Sequence, residues 1–398
     1  MIVNSKESCS GCNACASACP RNCISMINDK EGFLYPKVDS EKCIDCHLCV
    51  KICANRTPIM RESSRRDIKV YSAINKIEDI RMKSSSGGIF TALASEVLKE
   101  KGVVFGAAFN ESFEVVHKYI EKEKDLYVFR GSKYVQSVIG NSYKEAEKFL
   151  KEKRLVLFTG TPCQIVGLYA YLGKSYDNLI TQDIICHGVP SPLVWKKYIE
   201  YRERKSGGKV SAISFRNKAF GWKDYLISFS FQNGKTYLQE FSKDPYMQMF
   251  LENLCLRPSC YDCAFKTKTR PSDITLADFW GCDKVLPEMD DNKGTSLVFI
   301  HSDKGRSFFC KIKDLLTACT VDMDAVVFYN SSMIQSSTKP KERNEFMSLI
   351  QTKPFKKMSK FYKMTPSRRL KNLLLVVKNK IFHKQKNKAT RESNNEKK

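Results

Sequence analysis

Cys9, Cys12, Cys15 and Cys19 stand in a Cys-x2-Cys-x2-Cys-x3-Cys run closed by Pro20, and Cys43, Cys46, Cys49 and Cys53 repeat it. The chemistry that suits this spacing is a [4Fe–4S] cubane. Thiolates two residues apart reach three adjacent corners, while the loops between them turn backbone N–H groups toward the sulfides. The fourth cysteine, displaced by a short helical turn, reaches the cluster of the other run. Cys9, Cys12, Cys15 and Cys53 would then hold one cluster, and Cys43, Cys46, Cys49 and Cys19 the second. Zinc takes four ligands as two pairs, which two such blocks fit poorly. Ala54 stands where proline closes the first run; this weakens a turn but removes no ligand. Cys23 lies outside the pattern and reads as a small apolar packing group. His47 reads as an exposed loop residue.

Both runs are of the bacterial ferredoxin type, and a ferredoxin domain fused to a larger one is usually a wire. Residues 84–335 carry the segments that matter at its far end. Ser84-Ser85-Ser86-Gly87-Gly88 precedes a helical pattern, and free N–H groups at a helix start favour an anion. Gly131-Ser132-Lys133 is polar with one cation. Cys163 and Cys186 each follow a strand pattern, and Cys260-x2-Cys263 adds a pair. If these four cysteines converge, they make a third cubane. Cys255 is a rival ligand, because Cys255-x4-Cys260-x2-Cys263 echoes a plant-type spacing. Cys282 is a weaker rival, and Cys310 and Cys319 read as core. Asp273 and Asp278-Phe279-Trp280-Gly281 complete the set. His187, beside Cys186, reads either as a proton donor or as a hydrogen-bonding neighbour of a cluster.

The elements that must position these residues alternate in type. Helical apolar spacing marks 89–101, 143–153, 244–253 and 305–316; strand patterns mark 103–109, 155–158, 179–185, 212–216, 225–232, 274–279 and 296–301. We expect a ferredoxin domain at 1–62, a charged linker at 63–83, a large α/β domain at 84–335 and a basic tail at 336–398. Seventeen cysteines, nine of them before residue 54, point to metal rather than disulfides in a cytoplasmic chain. No apolar run is long enough to span a membrane, and the N-terminus has no secretory signal pattern, so a cytoplasmic location is expected. Of the net charge of +24, residues 353–398 contribute 16 Lys/Arg against 2 Glu, or +14. Such a tail could dock an acidic partner or touch anionic lipid through its amphipathic stretch 368–382. No nucleic-acid motif accompanies it.

The segments SSSGGIFTALA, GSKYVQS, FTGTPCQIVGLYAYL, DIICHGVPSPLVWKKYI, SFRNKAFGW, LRPSCYDCAFKTKTRPSDITLADFWG and GTSLVFIHSDKG, in that order, resemble the coenzyme F420 hydrogenase/dehydrogenase beta-subunit family over residues 75–320. With the cysteine runs, the element pattern and the tail's composition, we expect an α+β architecture: a small two-cluster ferredoxin-like domain, a mixed α/β domain that the resemblance implies is flavin-binding, and a basic helical or disordered tail. The resemblance implies FAD near Ser86-Gly87-Gly88 and Ser132-Lys133, and a flavin-proximal cluster on Cys163, Cys186, Cys260 and Cys263. Lys133 and Arg216 would place positive charge by the flavin, and Asp278 would bind a ribityl or ribose hydroxyl. Ala277 departs from the family's glycine there. The implied partners are an external ferredoxin or redox subunit and a small organic acceptor, coenzyme F420 or another compound.

Overall fold

Val156, Leu157 and Phe158 form an unbroken apolar run, and all three are fully buried. A strand of that kind needs cover on both faces, which parallel strands flanked by helices receive. The computed structural model describes residues 5–56, 68–358 and Phe361. Its strands are β1 (Ile24–Asn28), β2 (Leu34–Val38), β3 (Lys69–Asn75), β4 (Val103–Phe109), β5 (Val115–Ile120), β6 (Val156–Thr159), β7 (Leu179–Ile184), β8 (Val210–Asn217), β9 (Leu226–Phe231), β10 (Thr236–Glu240), β11 (Ile274–Asp278), β12 (Ser296–Ile300) and β13 (Leu316–Thr320).

Eight of these make one mixed sheet, in the order β13-β3-β12-β11-β7-β6-β4-β5. Strands β4, β6, β7 and β11 are parallel. The carboxyl ends of β6, β7 and β11 therefore open on one edge, where α/β sheets place their ligands. Residues 160–163, 186–190 and 279–281 leave from that edge. Helix Pro162–Leu172 starts there with Pro162 in its first turn and a capping box between Thr161 and Gln164. The antiparallel sheet β10-β9-β8 forms a second layer, with Trp195, Tyr198, Phe229 and Tyr246 in its core. The ferredoxin region is a hairpin, β1-β2, flanked by the two cysteine runs.

The expected mixture of helix and strand is present, but two boundaries and the burial of two cysteines differ. The segment expected as a linker, 63–83, supplies β3, which pairs with both β12 and β13 inside the large sheet. Its Val70, Ser72 and Ala73 are buried despite the charged flanks. The tail expected from 336 begins later. Helix Arg343–Thr352 buries Phe346, Met347 and Ile350 in the second-layer core, with Phe355, Met358 and Phe361 following. The stretch 368–382 lies outside the described residues. Cys310 and Cys319, expected in the core, are exposed: one is on the outer face of helix Asp303–Ile312, the other on the edge strand β13.

His301, just after β12, is buried and shares a hydrogen bond of 2.8 Å with Thr275 Oγ1. Burial, reinforced by Arg270, lowers its pKa to about 3 from 6.5. The unfolded chain therefore binds a proton below pH 6.5 that the fold refuses. The stability this brings is complete above 6.5 and is lost as the pH falls toward 3. In thermal unfolding between pH 6.5 and 5, the unsubstituted chain should lose up to about 1.4 kcal/mol per pH unit more than His301→Gln. Parallel curves would contradict this.

Candidate redox site

Gly11 and Asn13 in the first cysteine run have φ of 70° and 69°; Asp45 and His47 occupy the same places in the second run, with φ of 49° and 55°. Left-handed residues within Cys-x2-Cys loops turn successive N–H groups to one side, which makes a concavity for an anion. The exposed His47 thus meets a backbone demand. Cys19 lines one open cavity together with Cys43, Cys46 and Cys49, and Cys46 is exposed. Cys53 lies instead with Cys9, Cys12 and Cys15. Burial, then the neighbouring Cys9 and Cys53, push the Cys12 thiol up to about 11. Burial, then Cys12, Cys9 and Cys53, raise Cys15 further. Such thiols ionise only against a cation, which cluster iron supplies. Cys23 is buried beneath these loops, its Sγ 3.3 Å from that of Cys19.

The set containing Cys9 is also the one that faces the large domain. Asn13 donates to the Gly140 carbonyl at 2.9 Å, Gln136 to the Ser10 carbonyl at 3.0 Å, and Arg257 to the Cys9 carbonyl at 2.7 Å. Glu31, in the turn of the hairpin, pairs with the buried Arg343 at 2.6 Å. Helix Pro162–Leu172 lies directly behind Cys12.

A further cavity at the carboxyl edge of the sheet is lined by Cys163, Cys186, Cys260 and Cys263. Ser10 and Asn55, which flank Cys9 and Cys53, close its near side. Lys266 and Arg270 stand on its wall. Lys266 donates to the Cys186 carbonyl and, at 2.7 Å, to that of Ser332. The Val189 N–H points at Cys260 Sγ (3.5 Å), and Thr161 Oγ1 is 3.1 Å from Cys163 Sγ. Burial, then Cys263, Cys186 and Cys260, hold the Cys163 thiol far above its ordinary range. Four thiols, with two cations and an N–H donor beside them, suit an anionic cubane. Among the described residues, no three His, Cys, Asp or Glu side chains gather tightly enough for a single ion; a cubane holds its thiolates farther apart. The rivals lie elsewhere: Cys255 packs in the second-layer aromatic core, and Cys282 packs with Phe279. His187 lines the cavity and shares a hydrogen bond of 2.6 Å with Asn253 Oδ1, while burial lowers its pKa.

The residues expected at a flavin gather on the same edge, but most of their polar groups are already engaged. Ser86 Oγ donates to the Thr295 carbonyl at 2.8 Å. A Cβ on Gly87 would fall 2.4 Å from the Ala73 carbonyl oxygen, so the glycine is required by β3 itself. Gly88, at φ 84°, starts helix Ile89–Lys99. Ser132 bonds Ser85 at 2.6 and 2.8 Å. Lys133 donates to the Val128 and Arg130 carbonyls at 2.9 and 3.1 Å. Arg216, turned inward by a register shift in β8, pairs with Asp278 at 2.9 Å. Lys218 donates to the carbonyls of Arg81, Ser86 and Lys293 at 2.7–2.8 Å, and burial lowers its pKa to about 7. What stays open is a planar surface. Trp280 is 37% exposed and stacks on Trp222 at 4.5 Å. Arg216 Nε and Trp222 Nε1 are buried donors with no partner among the described residues. These groups fit the ring system of a flavin better than its diphosphate.

Residues 70–142 and 153–325 match the models for the N-terminal region and the C-terminus of the coenzyme F420 hydrogenase/dehydrogenase beta subunit. The chain belongs to this family. Residues 8–56 match a 4Fe-4S dicluster domain, so this member of the beta-subunit family carries iron–sulfur clusters of the dicluster type at its N-terminal end. Among solved structures, a chain of the F420-reducing [NiFe] hydrogenase complex from Methanosarcina barkeri is similar over 69% of this chain and 91% of its own, with 17% identity and a TM-score of 0.48. No curated protein matches.

Sequence reasoning passed over Lys218 and Arg257. Lys218 lies in a family segment but is one lysine among many. Arg257 interrupts the apolar run 254–256, and a charge in such a place is the available signal. It also gave no reason for Gly167, in mid-helix. A Cβ there would stand 2.8 Å from both Cys12 Cβ and Tyr143 Oη. Helix propensity alone favours Gly167→Ala by up to about 1 kcal/mol. Packing predicts the opposite, a loss of about 1–3 kcal/mol with lower iron retention in the ferredoxin domain. Thermal unfolding and iron analysis of the purified variant decide between them.

Proposed function

We propose that this beta-subunit relative is an iron–sulfur flavoprotein oxidoreductase, passing single electrons from an external ferredoxin or redox subunit through three cubanes to FAD and a two-electron organic acceptor, coenzyme F420 or another compound. The observation that carries this reading is the cavity of Cys163, Cys186, Cys260 and Cys263, whose near wall is made by neighbours of Cys9 and Cys53. The clusters would be held by Cys19, Cys43, Cys46 and Cys49 at the exposed end, by Cys9, Cys12, Cys15 and Cys53 in the middle, and by the third set at the sheet edge.

Bound FAD would supply the exchange between single electrons and hydride. Trp280 would hold its ring, with Arg216 and Asp278 at the ring's edge. Lys218 and Lys133 would hold in place the backbone around the ring, through the carbonyls of Arg81, Ser86, Lys293, Val128 and Arg130 to which they donate. Lys266 and Arg270 would hold the third cluster in place and balance its charge. Among the described residues, no helix is long and apolar enough to cross a membrane. Contact with a partner or lipid surface through the basic tail remains part of the proposal.

One observation favours a second reading. The Ser86 and Lys133 groups expected to meet a diphosphate bond the protein's own backbone. A non-catalytic electron-transfer subunit, keeping the clusters and feeding a partner enzyme, would need no diphosphate site. Anaerobic purification of the full chain separates the two. The enzyme reading predicts bound or bindable FAD and reduction of F420 or a dye acceptor by the chemically reduced protein. A chain full of iron that binds no flavin and reduces neither acceptor would leave only the electron-transfer subunit.

A further inference from the structure

Six arginines are buried among the described residues: Arg81, Arg202, Arg216, Arg257, Arg270 and Arg343. Five face a carboxylate: Asp291, Asp244, Asp278, Asp183 and Glu31 respectively. Arg257, 0% exposed, faces none among the described residues. Its guanidinium donates to the carbonyls of Cys9 (2.7 Å) and Leu34 (2.9 Å) and to Gln136 Oε1 (2.9 Å). The same group lies 3.6 Å from Cys9 Sγ and against the rings of Tyr35 and Phe33. Two carboxylates on the nearby hairpin turn are taken by other cations, Asp29 by Lys6 and Glu31 by Arg343. A buried charge whose every partner is neutral is strongly unfavourable. The fold nonetheless spends a close approach on it, since Gly11, at φ 70°, has no room for a Cβ beside Arg257 Nη1.

A cubane on four thiolates is an anion, and reduction adds one more negative charge. A fixed cation at one of its sulfurs therefore favours the reduced form. The exposed end has the opposite neighbour, because the Asp45 carboxylate is 3.7 Å from Cys43 Sγ. We propose that Arg257 is the counter-cation of the cluster on Cys9, Cys12, Cys15 and Cys53, and that it raises this cluster's reduction potential above that of the Cys19 set, so directing electrons inward. This rests on the cluster reading above. In the step so favoured, the outer cluster loses one electron and the inner cluster gains it. No bond forms or breaks, and the guanidinium keeps its protons. Arg257 acts here as a positioning residue that also ties the ferredoxin domain to the large one.

The test is a potentiometric titration of the full chain, purified anaerobically and followed by EPR, with Arg257→Gln and Arg257→Lys. Arg257→Gln should lower the potential of the Cys9 cluster most, shift the Cys260 set less, and leave the exposed Cys19 set in place. Arg257→Lys should keep that potential close to the original while melting at a lower temperature, because an ammonium cannot reproduce the guanidinium's fork of bonds. Unchanged potentials in an iron-replete Arg257→Gln would overturn the proposal alone. So would Arg257→Lys falling as far as Arg257→Gln, since charge would then not be the cause. If Arg257→Gln cannot hold iron, Arg257→Lys decides: a retained potential supports the proposal and a lowered one refutes it. An unsubstituted chain without cluster signals would overturn the cluster reading and this inference together.

Discussion

Electrons cross only short gaps between clusters, so the proposed path requires the ferredoxin domain to sit, as it does, against the carboxyl edge of the large sheet. Much of the chain is arranged around that contact. Helix Pro162–Leu172 presents Gly167 to Cys12, and the same helix carries Cys163 in its first turn. One element thus backs the middle cysteine set and carries one member of the third. The strand ends of β6 and β7 deliver Cys163 and Cys186 to the same place, because parallel strands in register end together. The return segment 257–263 brings Cys260 and Cys263, and its Arg257 reaches back across the boundary to Cys9.

The contacts of Arg257 and Arg343 at this boundary are made by buried guanidinium groups, which makes them exacting. Glu31 and Arg343 form an ion pair between the hairpin turn and a helix more than 300 residues later in sequence. A buried pair of this kind adds little net stability, but removing one partner strands the other charge. Such contacts specify one seating of the small domain rather than simply adding affinity. The exposed end differs in character. Cys46 and the apolar Ile44 and Leu48 face outward, where an electron donor can approach.

The ferredoxin domain was legible because metal chemistry dictates ligand spacing along a continuous stretch of chain. Most elements of the large domain were legible too: Val103–Phe109 is apolar throughout, and helix Ser142–Lys151 has a clear buried face. The third cysteine set was only half legible, since Cys163 and Cys186 meet Cys260 and Cys263 through sheet order, which spacing does not encode. A strand near the end of 63–83 was legible, but its place inside the large sheet was not, because the charged flanks read as a linker. Helix Arg343–Thr352 was hidden by the basic composition that follows it. At the flavin edge, the motif Ser86-Gly87-Gly88 had two physical explanations. Close passage over Ala73 accounts for Gly87 without any ligand. A glycine-rich turn in sequence does not distinguish tight packing from a cradle.

In the proposed function, three cysteine sets form one connected path through both domains. EPR of the fully reduced chain, with iron quantified on the same sample, tests it most directly. The account predicts about 12 iron atoms per chain and a spectrum broadened by interaction between neighbouring clusters. In Cys163→Ser, iron should fall to about 8 and the spectrum should simplify to that of the ferredoxin domain alone. A loaded chain with about 8 iron atoms, and a spectrum unchanged by Cys163→Ser, would contradict it.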